Sequence, residues 1–482
     1  MLKKIELTIS VIPLRIASAH EAIIYLNLIE PMSIHDLRSF IDTVRAAGDM
    51  HEIRREVDPV RELGAVLSAC ERAGKAAFFH AVKGHDVQVV GSLLSSPRRI
   101  ALALGCPVDE IGARMAAATE QPVPYAAYTG APHTGAAPSQ EVLIDAPDLA
   151  RWPIPTHSPL DAGAFITAGV VIARDPETGR HNLSYNRMQI YGADRTGISM
   201  NIWRHIKVFF DKIEPKGQNL PFCVAIGPDP VLMMAAAFRY DGDEYDIAGA
   251  LRGAPVPVVR AKTCDVMVPA FAEIILEGEV LAGVRQMEGP MAEFTGHYSG
   301  ADPKHVAKIT RITHRKQPIF QTMNGGGYEH VSVGNMITRE PLLARFVRHI
   351  TPRLKAVHLP PYAAGFTAII SLNNPEPGEA RNVALAALAA HVNFKTIIVV
   401  NHDVDIFDPA DVMWAIGTRV RWHEDVIPIP GTHGNELDPS SDAHGVVAKV
   451  IIDATLPPEK LERFVKVVYP PVDLEQYLKP AL

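Results

Sequence analysis

Cysteine is scarce in this chain, with four in 482 residues. Cys70, Cys106, Cys223 and Cys264 are widely separated and match no CxxC zinc or redox pattern. Thiols this sparse suit a reduced, cytoplasmic setting. Positive charge is also short: 47 Lys and Arg face 54 Asp and Glu, for a net charge of −7. No Lys/Arg stripe with interleaved aromatics compensates, so the sequence offers no basic field for nucleic acid. No stretch approaches the roughly 18 uncharged apolar residues that a membrane span needs. The patterns GxxxxGK[ST], HExxH and GxSxG are missing, which removes the phosphate loop, the zinc-protease helix and the nucleophile elbow. There is no internal repeat and no low-complexity tract.

What remains is an ordinary globular composition, 47% hydrophobic and 21% charged, with a length that suits two to four domains. Residues 1–31 carry Lys3 and Lys4, then an apolar stretch interrupted by Pro13, Arg15, His20 and Glu21. Those interruptions argue against a signal peptide. The chain reads more naturally from Met32, and 1–31 is expected to be an upstream extension. Residues 32–120 mix helical patterns with short apolar runs and read as an N-terminal α/β unit. Ser33 starts a capped amphipathic helix, Ala76-Ala-Phe-Phe and Val87-Gln-Val-Val read as strands, and Pro97 opens a helix. Residues 121–330 begin with a Pro/Ala/Gly-rich covering loop and continue as short β-branched runs, with one helix after Asp229. Residues 331–460 alternate helix and strand again. Scattered prolines from Pro457 onward leave an extended C-terminal arm over 461–482.

The chemistry gathers in a few segments. Glu288-Gly-Pro-Met-Ala-Glu293 sets two carboxylates across a break that no helix interior tolerates. On a turn both can face one cavity, and two close acids repel, so one tends to keep a proton. Upstream, Asn182-Leu-Ser-Tyr-Asn-Arg187 reads as a strand with Asn182, Ser184 and Asn186 on one face and Tyr185 and Arg187 on the other. His205 and Glu244 are each unremarkable alone: a lone histidine is usually a hydrogen-bonded structural group, and acidic loops are usually solvated. Together, an Asn oxygen, a His nitrogen and a Glu oxygen suit Mn²⁺ or Mg²⁺ better than zinc. Arg187 can pair in bidentate geometry with a substrate carboxylate or with a glutamate.

These segments resemble the UbiD family of decarboxylases, which use prenylated FMN. The marks are Asp161-Ala-Gly with Thr167, Asn182-x-Ser-x-x-Arg187-Met-Gln, Glu244-Tyr-Asp-Ile-Ala-Gly, Ala272-Glu-Ile-Ile-Leu-Glu-Gly and Glu288-Gly-Pro-Met-Ala-Glu293-Phe-Thr-Gly. Lys395 before a strand, Asp403-Val-Asp and Val412-Met-Trp-Ala-Ile-Gly-Thr-Arg follow in order. The resemblance runs from Met32 into the C-terminal region. It implies a mixed α/β multidomain fold: the N-terminal α/β unit, a split β-barrel over 121–330 that binds the flavin, and a C-terminal α/β domain over 331–460 that drives oligomerisation. The active site is expected between the central and C-terminal parts.

The resemblance also implies roles. Asn182, His205 and Glu244 would hold a divalent metal, usually Mn²⁺, that grips the cofactor phosphate, with K⁺ nearby. Arg204 and Lys395 would contact the phosphate, and Ser184, Tyr185 and Arg187 would lie against the flavin. Arg187, Glu288 and Glu293 would form a Glu-Arg-Glu network, with Glu293 the proton donor. The implied reaction is reversible, non-oxidative decarboxylation of a small aromatic or heteroaromatic acid of pyrrole, indole, furan or hydroxybenzoate type. A flavin prenyltransferase would supply the cofactor, and the chain would assemble as a dimer or larger homo-oligomer. This chain departs from the family in Met291-Ala292, where Phe-Gly is common, and in Asn401-His402. His297, Asn324 and His402 would then line a polar pocket, or else be satisfied structural residues. Alternatives are a polyprenyl-hydroxybenzoate or acrylic acid substrate and a non-catalytic flavin-binding subunit of a carboxylase complex. A hydrolase with paired acids leaves Asn182, Arg187, His205 and Lys395 without a task.

Overall fold

Apolar residues Leu37, Phe40, Ile41 and Val44 fall on one helical face, and the helix Leu37–Ala46 buries all four. In this computed structural model, which describes residues 34–130, 136–201, 204–435, 437–467, 469–470, 472 and 477, Asp36 starts that helix. Its side chain accepts from the Ser39 N–H while the Ser39 hydroxyl accepts from the Asp36 N–H. The expected cap at Ser33 and the expected extension 1–31 lie outside the described residues. Arg38 leaves the same helix and makes a bidentate pair with buried Glu273, both bonds 2.8 Å, tying the helix to the central unit.

Of five sheets among the described residues, the three largest carry the fold. The N-terminal sheet runs Met50–Ile53, Ala76–Phe79, Gln88–Gly91, Ile319–Thr322. Its last strand comes from far along the chain and pairs in parallel with Gln88–Gly91. The central sheet has seven strands in antiparallel pairs. Its order is Arg195–Ile198, Asp302–His314, Ile274–Glu288, Leu220–Ile226, Val170–Arg174, His181–Tyr185, with Val142–Ile144 added beside Asp302–His314. Among the described residues these pairings trace an open path rather than a closed ring. The C-terminal sheet has five strands, with Thr367–Leu372, Thr396–Asn401 and Val446–Ala454 parallel at its centre. Parallel strands need both faces covered. The helix Glu379–Ala390 packs on one face through Val383, Ala384 and Ala387, and Pro409–Arg419 packs on the other through Val412 and Ala415.

The mixed α/β multidomain class stands as expected. The helix expected at Pro97 spans Pro97–Leu104, and the one after Asp229 spans Pro230–Ala235 with Asp229 as its cap. The tail differs from the extended arm expected from Pro457. It begins with the helical turn Pro458–Leu461 and the 3-10 turn Glu462–Phe464. The cause is positional: Pro458 is the first helical residue, where its missing N–H costs nothing and its fixed φ favours the helix.

Candidate active site

The strand His181–Tyr185 alternates as its sequence requires, and Asn182, Ser184 and Asn186 share a buried face. Asn186 Nδ2 donates to Ser184 Oγ at 2.8 Å, and Ser184 Oγ approaches Asn182 Oδ1 at 3.4 Å. Glu244 meets this row. It opens the helix Glu244–Arg252, capped by Asp243, and is fully buried rather than solvated. Its carboxylate accepts from Asn182 Nδ2 at 3.0 Å and from the Leu183 N–H at 2.9 Å. His205 opens a second helix, His205–Asp211, and brings Nδ1 to 3.9 Å from Glu244 Oε1. Burial pushes the Glu244 carboxyl up to about 8 and pulls His205 below its ordinary value. A buried carboxyl beside a neutral imidazole and a carboxamide is the donor set of a hard divalent cation, which would supply the charge that ionised Glu244 lacks. The residues present therefore fit such an ion.

Arg187 lies on the opposite face of the same strand's end. Its Nε donates to Glu288 Oε1 at 2.8 Å, and its Nη1 donates to Glu293. Glu288 ends the long strand Ile274–Glu288 and is fully buried, with Oε2 unpartnered. Burial raises its pKa against the pull of Arg187. The two acids thus differ in surroundings: Glu293 lines the cavity, and Glu288 sits behind the guanidinium. Gly289 makes the turn between them possible. Its φ is +88°, and a Cβ there would meet the Gly300 carbonyl at 2.6 Å.

The cavity in front of Arg187 holds about 280 Å³. Thr167, Tyr185, Asn186, Asn201, Met291 and Phe294 line it from the central unit, and Asn335, Arg339, Asn435 and Leu437 from the C-terminal part. It therefore lies between the two, where the family resemblance placed the active site. Tyr185, Arg187, Arg204, Glu293 and Asn324 reach its wall. Ser184 lies behind Asn186 instead, bonded within the buried row. Lys395 is not on the wall: its Nζ pairs with Asp438 at 2.7 Å, next to cavity-lining Leu437. Burial pushes Asp438 up, but Lys395 and the Ser440 N–H hold its carboxyl below the usual range. His297 bonds the Thr295 carbonyl at 3.1 Å, and His402 has a buried unpartnered Nδ1; neither lines the cavity. Of the three polar-pocket residues, only Asn324 does so.

Sequence reasoning missed Arg339 and His330. Arg339 makes no ion pair among the described residues, and burial pulls it down to about 9, so it stays charged at neutral pH. With the Asn393 amide turned to suit its neighbours, its oxygen accepts from Arg339 Nη1 at 2.6 Å. Burial lowers the His330 pKa, and its Nδ1 accepts from the Gly326 N–H at 3.3 Å. An arginine inside an amphipathic helix, Ile337–Ile350, carries no local signal that it faces a cavity.

The Glu-Arg-Glu network on the cleft wall belongs to an enzyme of the carboxy-lyase class, as the comparisons with known proteins show. The chain belongs to the UbiD family. Its residues 41–119, 131–328 and 334–454 match the N-terminal, Rift-related and C-terminal domains of 3-octaprenyl-4-hydroxybenzoate carboxy-lyase. Among solved structures it is similar to the UbiD-class enzyme HmfF from Pelotomaculum thermopropionicum in complex with FMN. The identity is 39% and the TM-score 0.87, covering 92% of this chain and 100% of that one. An evolved dimeric form of HmfF in complex with prenylated FMN gives 36% identity and a TM-score of 0.84, covering 92% and 100%. Among curated relatives, gallate decarboxylase of Lactiplantibacillus plantarum is 31% identical over 92% of this chain and 99% of the relative. Anhydromevalonate phosphate decarboxylase of Methanothermobacter thermautotrophicus is 33% identical over 89% and 99%. Among the described residues, no helix is long and apolar enough to cross a membrane.

Proposed function

We propose that the protein is a reversible, non-oxidative decarboxylase of a small aromatic or heteroaromatic acid, working with prenylated FMN. The observation that carries this reading is Arg187 bonded at once to Glu288 and Glu293 on the wall of a cleft, with Asn182, bonded to Glu244, on the same chain segment though not on the cleft wall. Losing CO₂ from an sp² carbon leaves an electron pair that acid–base residues cannot delocalise, and bound prenylated FMN supplies the electron sink. The chain does the rest. Asn182, His205 and Glu244 would hold Mn²⁺ or Mg²⁺, which with K⁺ would supply positive charge for the cofactor phosphate, and Arg204 would add to it. Arg187 orients the substrate carboxylate and fixes Glu293. Glu293 hands a proton to the carbon that has lost CO₂ and takes it back in the reverse direction. Each turnover converts R–COO⁻ and one proton into R–H and CO₂. Lys395 acts through Asp438, fixing the loop that carries Asn435 and Leu437.

A second reading is favoured by Arg339, a half-buried guanidinium on the cavity wall with no carboxylate partner among the described residues. It suits an unsaturated, non-aromatic acid carrying another anionic group, in keeping with the archaeal relative's name. The protein is expected to work in the cytoplasm, as a dimer or larger homo-oligomer, supplied by a flavin prenyltransferase. The test is product formation from a panel of aromatic, heteroaromatic and alkenyl acids, with Mn²⁺ and K⁺. It would run with and without co-expressed flavin prenyltransferase, and with Glu293→Gln. Turnover that needs the prenyltransferase and collapses in the variant supports the reading. Turnover in flavin-free protein would sink it.

A further inference from the structure

Thr167 is one of few hydroxyls on the cavity wall, and a buried chain ends on it. His157 is 5% exposed, and its Nε2 lies 2.7 Å from Thr322 Oγ1. Thr322 Oγ1 lies 3.3 Å from Thr167 Oγ1, which also accepts from the Met323 N–H at 3.1 Å. The other imidazole nitrogen, Nδ1, is buried without a partner among the described residues. His157 is held from behind: a Cβ on Gly64 would meet its carbonyl oxygen at 2.1 Å, so helix and histidine backbone are in direct contact.

The unpartnered nitrogen favours one tautomer. A bare buried lone pair is more common in folded proteins than a bare buried N–H. Burial also pulls His157 down to about 4, so it is neutral at working pH, with one proton to place. That proton belongs on Nε2, where it is donated to Thr322 Oγ1. With that proton accepted, Thr322 is free to donate to Thr167, and Thr167, accepting from Met323 as well, would keep its own proton to give.

We propose that the His157–Thr322 chain fixes Thr167 as a hydrogen-bond donor into the cavity, so that it grips an acceptor atom of the bound ligand. The acceptor is a ring nitrogen or carbonyl oxygen of the flavin, or a carboxylate oxygen of the substrate. His157 and Thr322 are positioning residues. The ligand side of this inference rests on the reading of the cavity given above; the chain itself does not.

The test uses full-length protein and the variants Thr167→Val, Thr167→Ser, Thr322→Val and Thr322→Ser. Three quantities are read: melting of the flavin-free protein, the FMN dissociation constant by fluorescence, and KM for the acid that the wild type decarboxylates. Both valine variants should melt lower without ligand, because each strands a buried donor. Thr167→Val should weaken one ligand about tenfold, the loss of one well-aligned hydrogen bond. A higher FMN dissociation constant assigns the acceptor to the flavin, and a higher KM at unchanged FMN binding assigns it to the substrate. Thr322→Val should weaken the same ligand about threefold, as the proton is no longer steered. The serine variants should stay near wild type. Unchanged melting of both valine variants would overturn the chain whatever the ligand. Tighter ligand binding in Thr322→Val would reverse its polarity, and unchanged FMN binding and KM in Thr167→Val would remove its role. Failure of the wild type to bind FMN would instead sink the cavity assignment, and melting would still decide the chain.

Discussion

Arg187 stands between two carboxylates in unequal surroundings. Glu288 is fully buried and Glu293 faces the cleft, so removing the guanidinium strands one charge and frees the other. Arg187→Ala should therefore destabilise the protein by about 3 kcal/mol, as breaking a buried pair does, and its melting temperature should fall clearly. Glu293→Gln keeps shape and a hydrogen-bonding oxygen, so it should melt close to wild type. Its turnover should nonetheless drop by at least about 100-fold, the usual worth of a positioned proton donor. A variant that lost stability instead of turnover would make Glu293 a structural group. At the metal cluster, Mn²⁺ should raise the melting temperature of the wild type and leave His205→Ala unmoved, because the site loses its nitrogen ligand. The period-2 row Asn182, Ser184, Asn186 and the paired acids around Gly289-Pro290 were legible in the sequence, since alternation and a helix-breaking dipeptide are local signals. Arg339, His330 and the Thr322–Thr167 contact were not, because each is brought to the cavity by pairing with distant chain.

At the scale of elements, the short helix Tyr328–Val331 carries a buried acid, Glu329. Its Oε1 accepts from the Leu94 N–H at 2.7 Å, and its own N–H donates to Glu71 Oε1 at 2.7 Å. Burial, with the Glu71 charge adding to it, lifts Glu329 from 4.5 to about 7. A folded pKa above the unfolded one favours the protonated form. The associated stability is complete below the unfolded pKa and is lost as pH rises through the folded one. Between about pH 5 and about pH 8, wild type should therefore lose melting temperature relative to Glu329→Gln, which cannot ionise. A constant difference between the two across that range would contradict the assignment. Most helices and strands here were legible, down to the proline that opens Pro97–Leu104. The helix that buries Glu244 was not, because only the fold shows that this acidic segment starts a buried helix rather than a solvated loop.

Across the whole molecule, the strand Ile319–Thr322 leaves the central part of the chain to complete the N-terminal sheet. It carries Thr322 and leads into Met323, Asn324 and Gly325 on the cavity wall, so the N-terminal unit helps position the site it does not line. No periodicity in the sequence announces a pairing between Gln88 and Ile319, which is why sheet membership was invisible while the α/β character was plain. Light scattering should give the mass of at least two 52.5-kDa chains, and a monomer would contradict the expected assembly. The most direct test of the central claim is hydrogen exchange on the decarboxylation product. The product would be incubated in D₂O with prenylated-FMN-loaded protein and its C–H signal followed by proton NMR. Wild type should replace with deuterium the hydrogen on the carbon that carried the carboxylate, and Glu293→Gln should leave it in place. Exchange at the wild-type rate in Glu293→Gln would show that the proton comes from elsewhere and that this account of the site is wrong.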